Sequence, residues 1–388
     1  MALPVARPGQ QDPIYEGTRI PSPIPTVLEV DPAVKDTDDI LTVNFGPNHP
    51  STHGVLRLIV DLDGEVVVGV HAKVGYVHTG FEKNMEQKSW WKAITYAPRI
   101  DYLAYQNNEL VFVLAIEKLL GLEVPPKATW MRMLLSELVA GYRMHTRYFQ
   151  TGGLAEDIPA GFYPECRKFV EWMPKAIADY DALLAKNEIW EDRTVGLGLL
   201  NRRDAIALGQ TGPVLRASGV DWDLRRDDPY LYYDRVRFHV PVFPQGDTYD
   251  RYRVRIEEMQ ASVEIVEQCL DRLERLEGEP WISDDRKVVL PPREELHTSM
   301  ESLIHHFKIV TEGYRVPEGE VYVAVESPRG ELGCYVVSDG GARPWRVKFR
   351  APSFAALEAT ATMVQGAYIA DLIAIVGSLD TVMGEVDR

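Results

Sequence analysis

Cysteine is scarce and scattered: three residues, Cys166, Cys269 and Cys334, in a chain of 388, with no Cys-x-x-Cys pair. That excludes a self-contained iron–sulfur or cysteine-type zinc site and fits a reducing compartment. Isolated cysteines of this kind are expected as small buried hydrophobes. No stretch approaches the ~18 apolar residues of a membrane span. The best, Tyr368 to Val376, is short and is interrupted by Asp371. The amino-terminal region has no charged-then-apolar signal and carries Asp12, Glu16 and Glu29, so it is expected to be neither secretory nor transit-like. A membrane substrate would have to be met through partners. Basic charge is in deficit as well. A net charge of −16 argues against a nucleic-acid partner, because phosphate binding needs clustered Lys and Arg.

What is present suffices for a folded core: 45% of the residues are hydrophobic and 26% charged, in a length that suggests two or three packed subregions or one large domain with excursions. Residues 1–39 hold seven prolines, from Pro4 to Pro32, and no periodicity. Proline denies both helix and ladder hydrogen bonds, so this segment reads as an extended arm, either draped over a neighbour or a free tail.

Order is expected from residue 40. Leu56 to Leu62 alternates, Asp63-Gly64 is a two-residue turn signal, and Glu65 to Ala72 alternates again: a hairpin. Residues 40–80 thus form an amino-terminal β region. Residues 81–388 read as a helical bundle with a carboxy-terminal β insertion. Helical periodicity runs from Phe81 to Gly121, Trp130 to Tyr148, Tyr163 to Asn187, Asp250 to Leu276, Met300 to Thr311 and Ser353 to Leu379. Val321–Glu326, Gly333–Ser338 and Trp345–Phe349 read as strands. The fold class is α+β, with small antiparallel sheets in the amino- and carboxy-terminal parts.

Just before the hairpin lies the loop Gly46 to Gly54, with His49 and His53 four apart. No third ligand at sensible spacing makes them a metal pair. Pro47 and Pro50 stiffen the loop and Gly46 and Gly54 permit tight backbone at its ends, so it could present an imidazole as hydrogen-bond donor and proton carrier near neutral pH. Tyr102, in Pro98-Arg-Ile-Asp-Tyr, is read as helical; facing an imidazole across an apolar slot, it would offer a second donor to a ligand with two carbonyls. Trp90 and Trp91 read as apolar wall or core. His305 and His306 are adjacent on a helix and point apart, which favours structural hydrogen bonding over shared ligation. The charged run Asp247 to Glu258 reads as a solvated helix face or as Arg–carboxylate pairs fixing the register between subunits.

These residues meet a known family. N-F-G-P-N-H-P-S-T-H-G-V-L-R, H-T-G-F-E-K, P-R-I-D-Y, T-G-P-V-L-R-A-S-G-V-D-W-D-L-R, G-D-T-Y-D-R-Y, S-M-E-S-L-I-H-H-F-K-I-V-T-E-G-Y and the terminal G-E-V-D-R resemble, in order, the 49-kDa (D-type) subunit of respiratory complex I, from residue 41 to Arg388. The resemblance implies a fold like that of the [NiFe]-hydrogenase large subunit, without the four nickel–iron cysteines. It implies a component of a proton-translocating NADH–quinone oxidoreductase, not catalytic alone, that binds no cofactor itself. FMN and the Fe–S clusters would belong to partners, with the terminal [4Fe–4S] cluster in the small B-type Fe–S subunit. The C- and I-type subunits and the H-type membrane subunit are further implied partners, and the place is the cytoplasmic face of the bacterial cell membrane. His53 and Tyr102 would hydrogen-bond the quinone and donate protons on its reduction, with His49 in the same quinone-binding loop.

One departure stands out. After Leu135-Ser-Glu-Leu138 the family continues through two helical stretches before a Gly-x-Arg-Met sequence; here Val139-Ala140 leads directly into Gly141-Tyr-Arg-Met144. The missing piece includes the Asp that pairs, in the family, with the equivalent of His53. Glu156 and Asp157 lie downstream and resemble a different family segment, so neither is assigned that role. An imidazole without that carboxylate is expected to have a lower pKa and to deliver protons to quinone less well.

Overall fold

The computed structural model describes residues 40–46, 55–134, 145, 147–185 and 187–388. The Pro-rich segment 1–39, the imidazoles of His49 and His53, and the junction at residues 138–141 lie outside the described residues.

The expected hairpin is present. Strands β1 (Ile40–Phe45), β2 (Arg57–Asp63) and β3 (Val66–Lys73) form an antiparallel sheet in that order. Asp63 pairs with Val66 across the Asp63-Gly64 turn, where Gly64 takes a φ of 60°. Alternate residues Leu58, Val60 and Leu62 are buried, so one face of the sheet is core.

The helical run expected over Phe81 to Gly121 is broken. It consists of α1 (Phe81–Glu86), α2 (Trp90–Ala93), a 3-10 stretch over Ile94–Arg99, a bend at residues 101–104, and α3 (Tyr105–Leu120). Pro98 removes a helical donor, and the Asp101 carboxylate takes the Leu103 and Ala104 amides at 3.0 and 3.1 Å. Tyr102 therefore stands on a bend and not on a helix. The next helix, α4 (Pro126–Met133), starts four residues earlier than Trp130, because Pro126 is suited to a first turn. Tyr148 lies in extended chain before a two-residue ladder of β4 (Phe149–Gln150) and β5 (Gly153–Leu154).

Two long helices follow, α5 (Phe162–Leu184) and α7 (Thr248–Glu274), packed on each other, with the short α6 (Gly212–Ala217) against α7. Helix α8 (Met300–Thr311) has the expected bounds and is capped by Ser299, whose hydroxyl accepts from the Ser302 amide. Strands β6 (Gly319–Ser327), β7 (Gly330–Ser338) and β8 (Arg346–Arg350) make the second antiparallel sheet, which α3 covers. The last helical region divides into α9 (Pro352–Met363), α10 (Ile369–Leu379) and α11 (Met383–Asp387), with Gly366 at φ 79° in the first break.

The described residues form two apolar cores. The larger joins α3, α4, α7 and the carboxy-terminal sheet, through Phe112, Ile116, Leu270 and Phe349. The smaller joins the amino-terminal sheet to α9, α10 and α11, through Val60, Leu357, Ile375 and Met383. The amino-terminal sheet and the last helices are thus packed together. All three cysteines are buried and outside any disulfide, as expected of small hydrophobes.

Candidate functional site at the seam of the two cores

Polar groups gather where the cores meet. Ile100 belongs to the larger core and Met383 and Val386 to the smaller. Between them Gly384 lies so close to the Ile100 backbone that a Cβ there would stand 2.6 Å from the Ile100 carbonyl oxygen and 3.5 Å from Cε1 of Tyr102. The short helix α11 is therefore seated directly on the bend that carries Tyr102.

That bend is fixed from three sides. Oδ1 of Asp101 holds the two amides already described, and Oδ2 accepts from Nη1 of Arg329 at 2.9 Å. Arg329, in the β6–β7 turn, also donates through Nε to the Asp380 carbonyl at 2.8 Å and pairs with its carboxylate at 3.1 Å. Asn108, one turn into α3, donates to the Asp101 carbonyl at 3.2 Å. Tyr102 itself is half-buried. Burial, then the charge of Asp101, raises its phenol pKa, with Arg329 working the other way. The phenol is thereby kept as a neutral hydrogen-bond donor.

Glu385, on α11, is buried and accepts from the Ser353 amide at 2.9 Å, while the Ser353 hydroxyl accepts from the Val382 amide. Burial, with the Asp101 charge adding to it, pushes the Glu385 carboxyl up to about 7. Asp387, two residues on, accepts from the Gly75 and Val77 amides at 2.7 and 2.8 Å, and its carbonyl lies 2.7 Å from Nδ1 of His78. Helix α11 thus grips the segment just after β3 as well as the Tyr102 bend.

The base of the histidine loop stands on this same sheet. Gly46, at φ 97°, lies so tightly against Leu56 that a Cβ would be 2.2 Å from its carbonyl oxygen, so the loop leaves and re-enters at one point. Beside it Arg57 donates to Asn44 at 2.7 Å and to the Tyr76 hydroxyl at 3.3 Å. Of the expected site residues, Tyr102 is placed by this geometry; His49 and His53 lie outside the described residues, and only their loop's two feet are fixed.

Asp101, Arg329, Glu385 and Asp387 were not singled out from the sequence as site residues. Asp101, Glu385 and Asp387 lie within quoted segments, P-R-I-D-Y and G-E-V-D-R, but what reveals their role is contact across more than 200 positions, which spacing does not carry. Trp90 is core, its indole donating to the Gly341 carbonyl at 3.0 Å; Trp91 lies under the Arg147 guanidinium, 3.5 Å from ring to charge.

Two expectations about other polar groups are corrected. The run Asp247 to Glu258 is not a solvated face: Arg251 is fully buried and reaches oxygens of Gly198, Gly246, Thr248 and Ser378. Glu258 accepts from Nε of the buried Arg216 at 2.9 Å, within the same chain. His305 is not fully satisfied either, since its Nε2 is buried with no hydrogen-bond partner among the described residues. Among the described residues no three His, Cys, Asp or Glu side chains gather as a metal set, and no helix is long and apolar enough to cross a membrane.

Similarity to known proteins is an independent line. The family model for the 49-kDa subunit of respiratory-chain NADH dehydrogenase matches residues 130–388. One of the D-type NADH-quinone oxidoreductase subunits of Chloroflexus aurantiacus is 48% identical over 408 aligned positions, covering 95% of this chain and 99% of that protein. The D-type subunit of Geotalea uraniireducens is 46% identical, covering 90% of this chain and 99% of the relative. One from Herpetosiphon aurantiacus is 45% identical, covering 96% and 98%. The Chloroflexus alignment has more positions than this chain has residues, so it opens gaps in this chain.

Proposed function

The chain belongs to the family of the 49-kDa, D-type subunit of NADH–quinone oxidoreductase, and on that premise we propose that it forms the quinone-reduction site of a proton-translocating complex together with the B-type Fe–S subunit. What carries the proposal is helix α11, which contacts both the Tyr102 bend through Gly384 and, through Asp387, the segment beside the foot of the histidine loop. A single element thus ties together the two places from which donors would reach a quinone.

In this reading Tyr102 donates its O–H to one quinone carbonyl and His53 to the same headgroup, with His49 lining the loop. Reduction of a quinone to a quinol takes two electrons, supplied from the terminal [4Fe–4S] cluster of the B-type subunit, and two protons. The raised pKa of Tyr102 holds its proton until the neighbouring oxygen becomes basic, as a general acid requires. Asp101 and Arg329 act as positioning residues, since their polar atoms are taken up in fixing the bend. The chain would bind no cofactor, have a fold related to the [NiFe]-hydrogenase large subunit, contact the C-, I- and H-type subunits, and sit peripherally on the cytoplasmic face of the membrane.

A second reading is favoured by the alignment gaps: a component that preserves assembly surfaces but has lost competent quinone chemistry with the missing segment. The two are separated in a complex assembled around this chain, by photoaffinity labelling with a quinone analogue and by NADH–quinone reductase turnover. The first reading expects labelling, and expects Tyr102→Phe to lower turnover by about a hundredfold while assembly persists. Intact assembly with neither labelling nor turnover in the unmodified chain would establish the second.

A further inference from the structure

Helices α5 and α7, together with the β6–β7 turn, line an open cleft of about 580 Å³ whose walls are mostly apolar. Phe169 and Met173 line it from α5, one turn apart; Met259, Val263 and Val266 line it from α7 at helical spacing. The apolar row on α5 continues beyond the cleft into solvent. Phe169 is 47% exposed, Trp172 55%, Tyr180 45% and Leu183 71%. Single exposed hydrophobics are ordinary, but a row of large ones sharing a helix and opening on a cleft marks a surface that is covered by something.

The cleft also holds a guanidinium with idle donors. Arg255, one turn before Met259, donates from Nη1 to the Arg251 carbonyl at 3.0 Å, but its Nε and Nη2 are buried with no acceptor among the described residues. Burial lowers its pKa, and the nearest carboxylates are engaged elsewhere: Glu258 by Arg216 and Asp380 by Arg329. Asp380 and Glu258 still act on Arg255 through their charge, but its two idle donors lack an acceptor in hydrogen-bond contact.

We propose that this cleft seats an amphipathic helix from another subunit, whose apolar face covers Phe169, Met173, Met259 and Val263 and whose carboxylate pairs with Arg255. Two helical ridges with a groove between them accept a third helix by ordinary ridge-into-groove packing. The exposed row from Phe169 to Leu183 extends roughly 21 Å at 1.5 Å per residue, which calls for an incoming helix of about four turns. The aligned relatives carry positions that this chain lacks, and Met133, in the cleft wall, stands just before the junction at Leu138. The exposed apolar row and the idle donors of Arg255 are what call for a helix supplied from outside. The inference rests on family membership but not on the quinone reading.

The test uses the full chain and three labelled 16-residue amphipathic peptides, identical except for Glu, Gln or Lys at the centre of the apolar face. Anisotropy titration is expected to give the Glu peptide at least about tenfold tighter binding than the Gln peptide. Arg255→Met should abolish that preference, and should not unfold the chain, because it removes a buried guanidinium with idle donors. Arg255→Glu should reverse the preference in favour of the Lys peptide. Equal affinity of the Glu and Gln peptides, or no binding at all, would overturn the proposal. So would sedimentation of the chain alone as a dimer that Met173→Asp dissociates, since a second copy would then be the occupant.

Discussion

Arg329 and Asp101 form a buried ion pair, 2.9 Å from Nη1 to Oδ2, one residue before Tyr102. The Asp101 carboxylate does two jobs at once, holding the bend amides with one oxygen and the guanidinium with the other. Asp101→Asn keeps an acceptor for the amides but loses the charge. Asp101→Ala loses both and leaves Arg329 with Asp380 alone. We expect the Ala variant to be destabilised by roughly 3–5 kcal/mol and the Asn variant by about 1–3 kcal/mol, measured by urea unfolding. Equal losses would mean that the bend hydrogen bonds contribute nothing beyond the ion pair.

Glu385 makes the stability of the fold depend on pH. Its carboxyl titrates at about 7 in the folded chain against an ordinary value of 4.5, because of burial and then the Asp101 charge. Between those values the folded state retains a proton that the unfolded state has lost, so stability falls as pH rises from about 4.5 to 7 and levels off above. The contribution is on the order of 3 kcal/mol across that window. Glu385→Gln keeps the Ser353 contact and should flatten this part of the curve. Thermal unfolding of both forms from pH 5 to 8 reads the difference; parallel curves would remove Glu385 from the explanation.

Local signals in the sequence were enough for the elements, and not for what joins them. Asp63-Gly64 foretells its hairpin because a two-residue turn is set by its own backbone, and Met300 to Thr311 is found because one amphipathic stripe specifies it. The Tyr102 bend escaped the same reading: Ile100, Leu103 and Leu110 fit a helical period, while the side chain of Asp101 competes for the amides. Arg251 reads as a solvated charge in the sequence because its acceptors, Gly198 and Ser378, come from segments far along the chain. Of the candidate site, Tyr102 was legible as a residue, but the Asp101–Arg329 and Asp387–Gly75 contacts that position its surroundings were not.

A second buried pair lies in the larger core. Arg132 donates to both Glu117 oxygens at 2.8 Å, and also to the Gln150 and Gly153 carbonyls, while Glu117 takes the Gly152 amide at 2.7 Å. This ties α3 and α4 to the β4–β5 turn. Arg132→Met should cost about 3–5 kcal/mol, since it strands a carboxylate out of water. Adding Glu117→Gln should then cost less than it does alone, a coupling that a double-mutant cycle in urea would measure. Strict additivity would show that the pair is not a unit.

Two glycines in the last helices should respond to alanine with opposite signs. Gly377, in α10, has open space where a Cβ would go, so Gly377→Ala should stabilise by about 0.5–1 kcal/mol through helix propensity and a less free unfolded chain. At Gly384 the new Cβ would meet the Ile100 carbonyl oxygen at 2.6 Å, and backbone does not yield as a side chain does. Helix α11 would have to lift, pulling Asp387 from Gly75 and Val77 and loosening the contact with Tyr102. Gly384→Ala should therefore destabilise by roughly 1–3 kcal/mol, as overpacking does. It should also bring the Tyr102 phenol pKa down toward its ordinary value as the site opens to water, readable by ultraviolet titration against Tyr102→Phe. A Gly384→Ala chain that unfolds more easily but leaves the Tyr102 titration unmoved would show that α11 braces the fold without shaping the site.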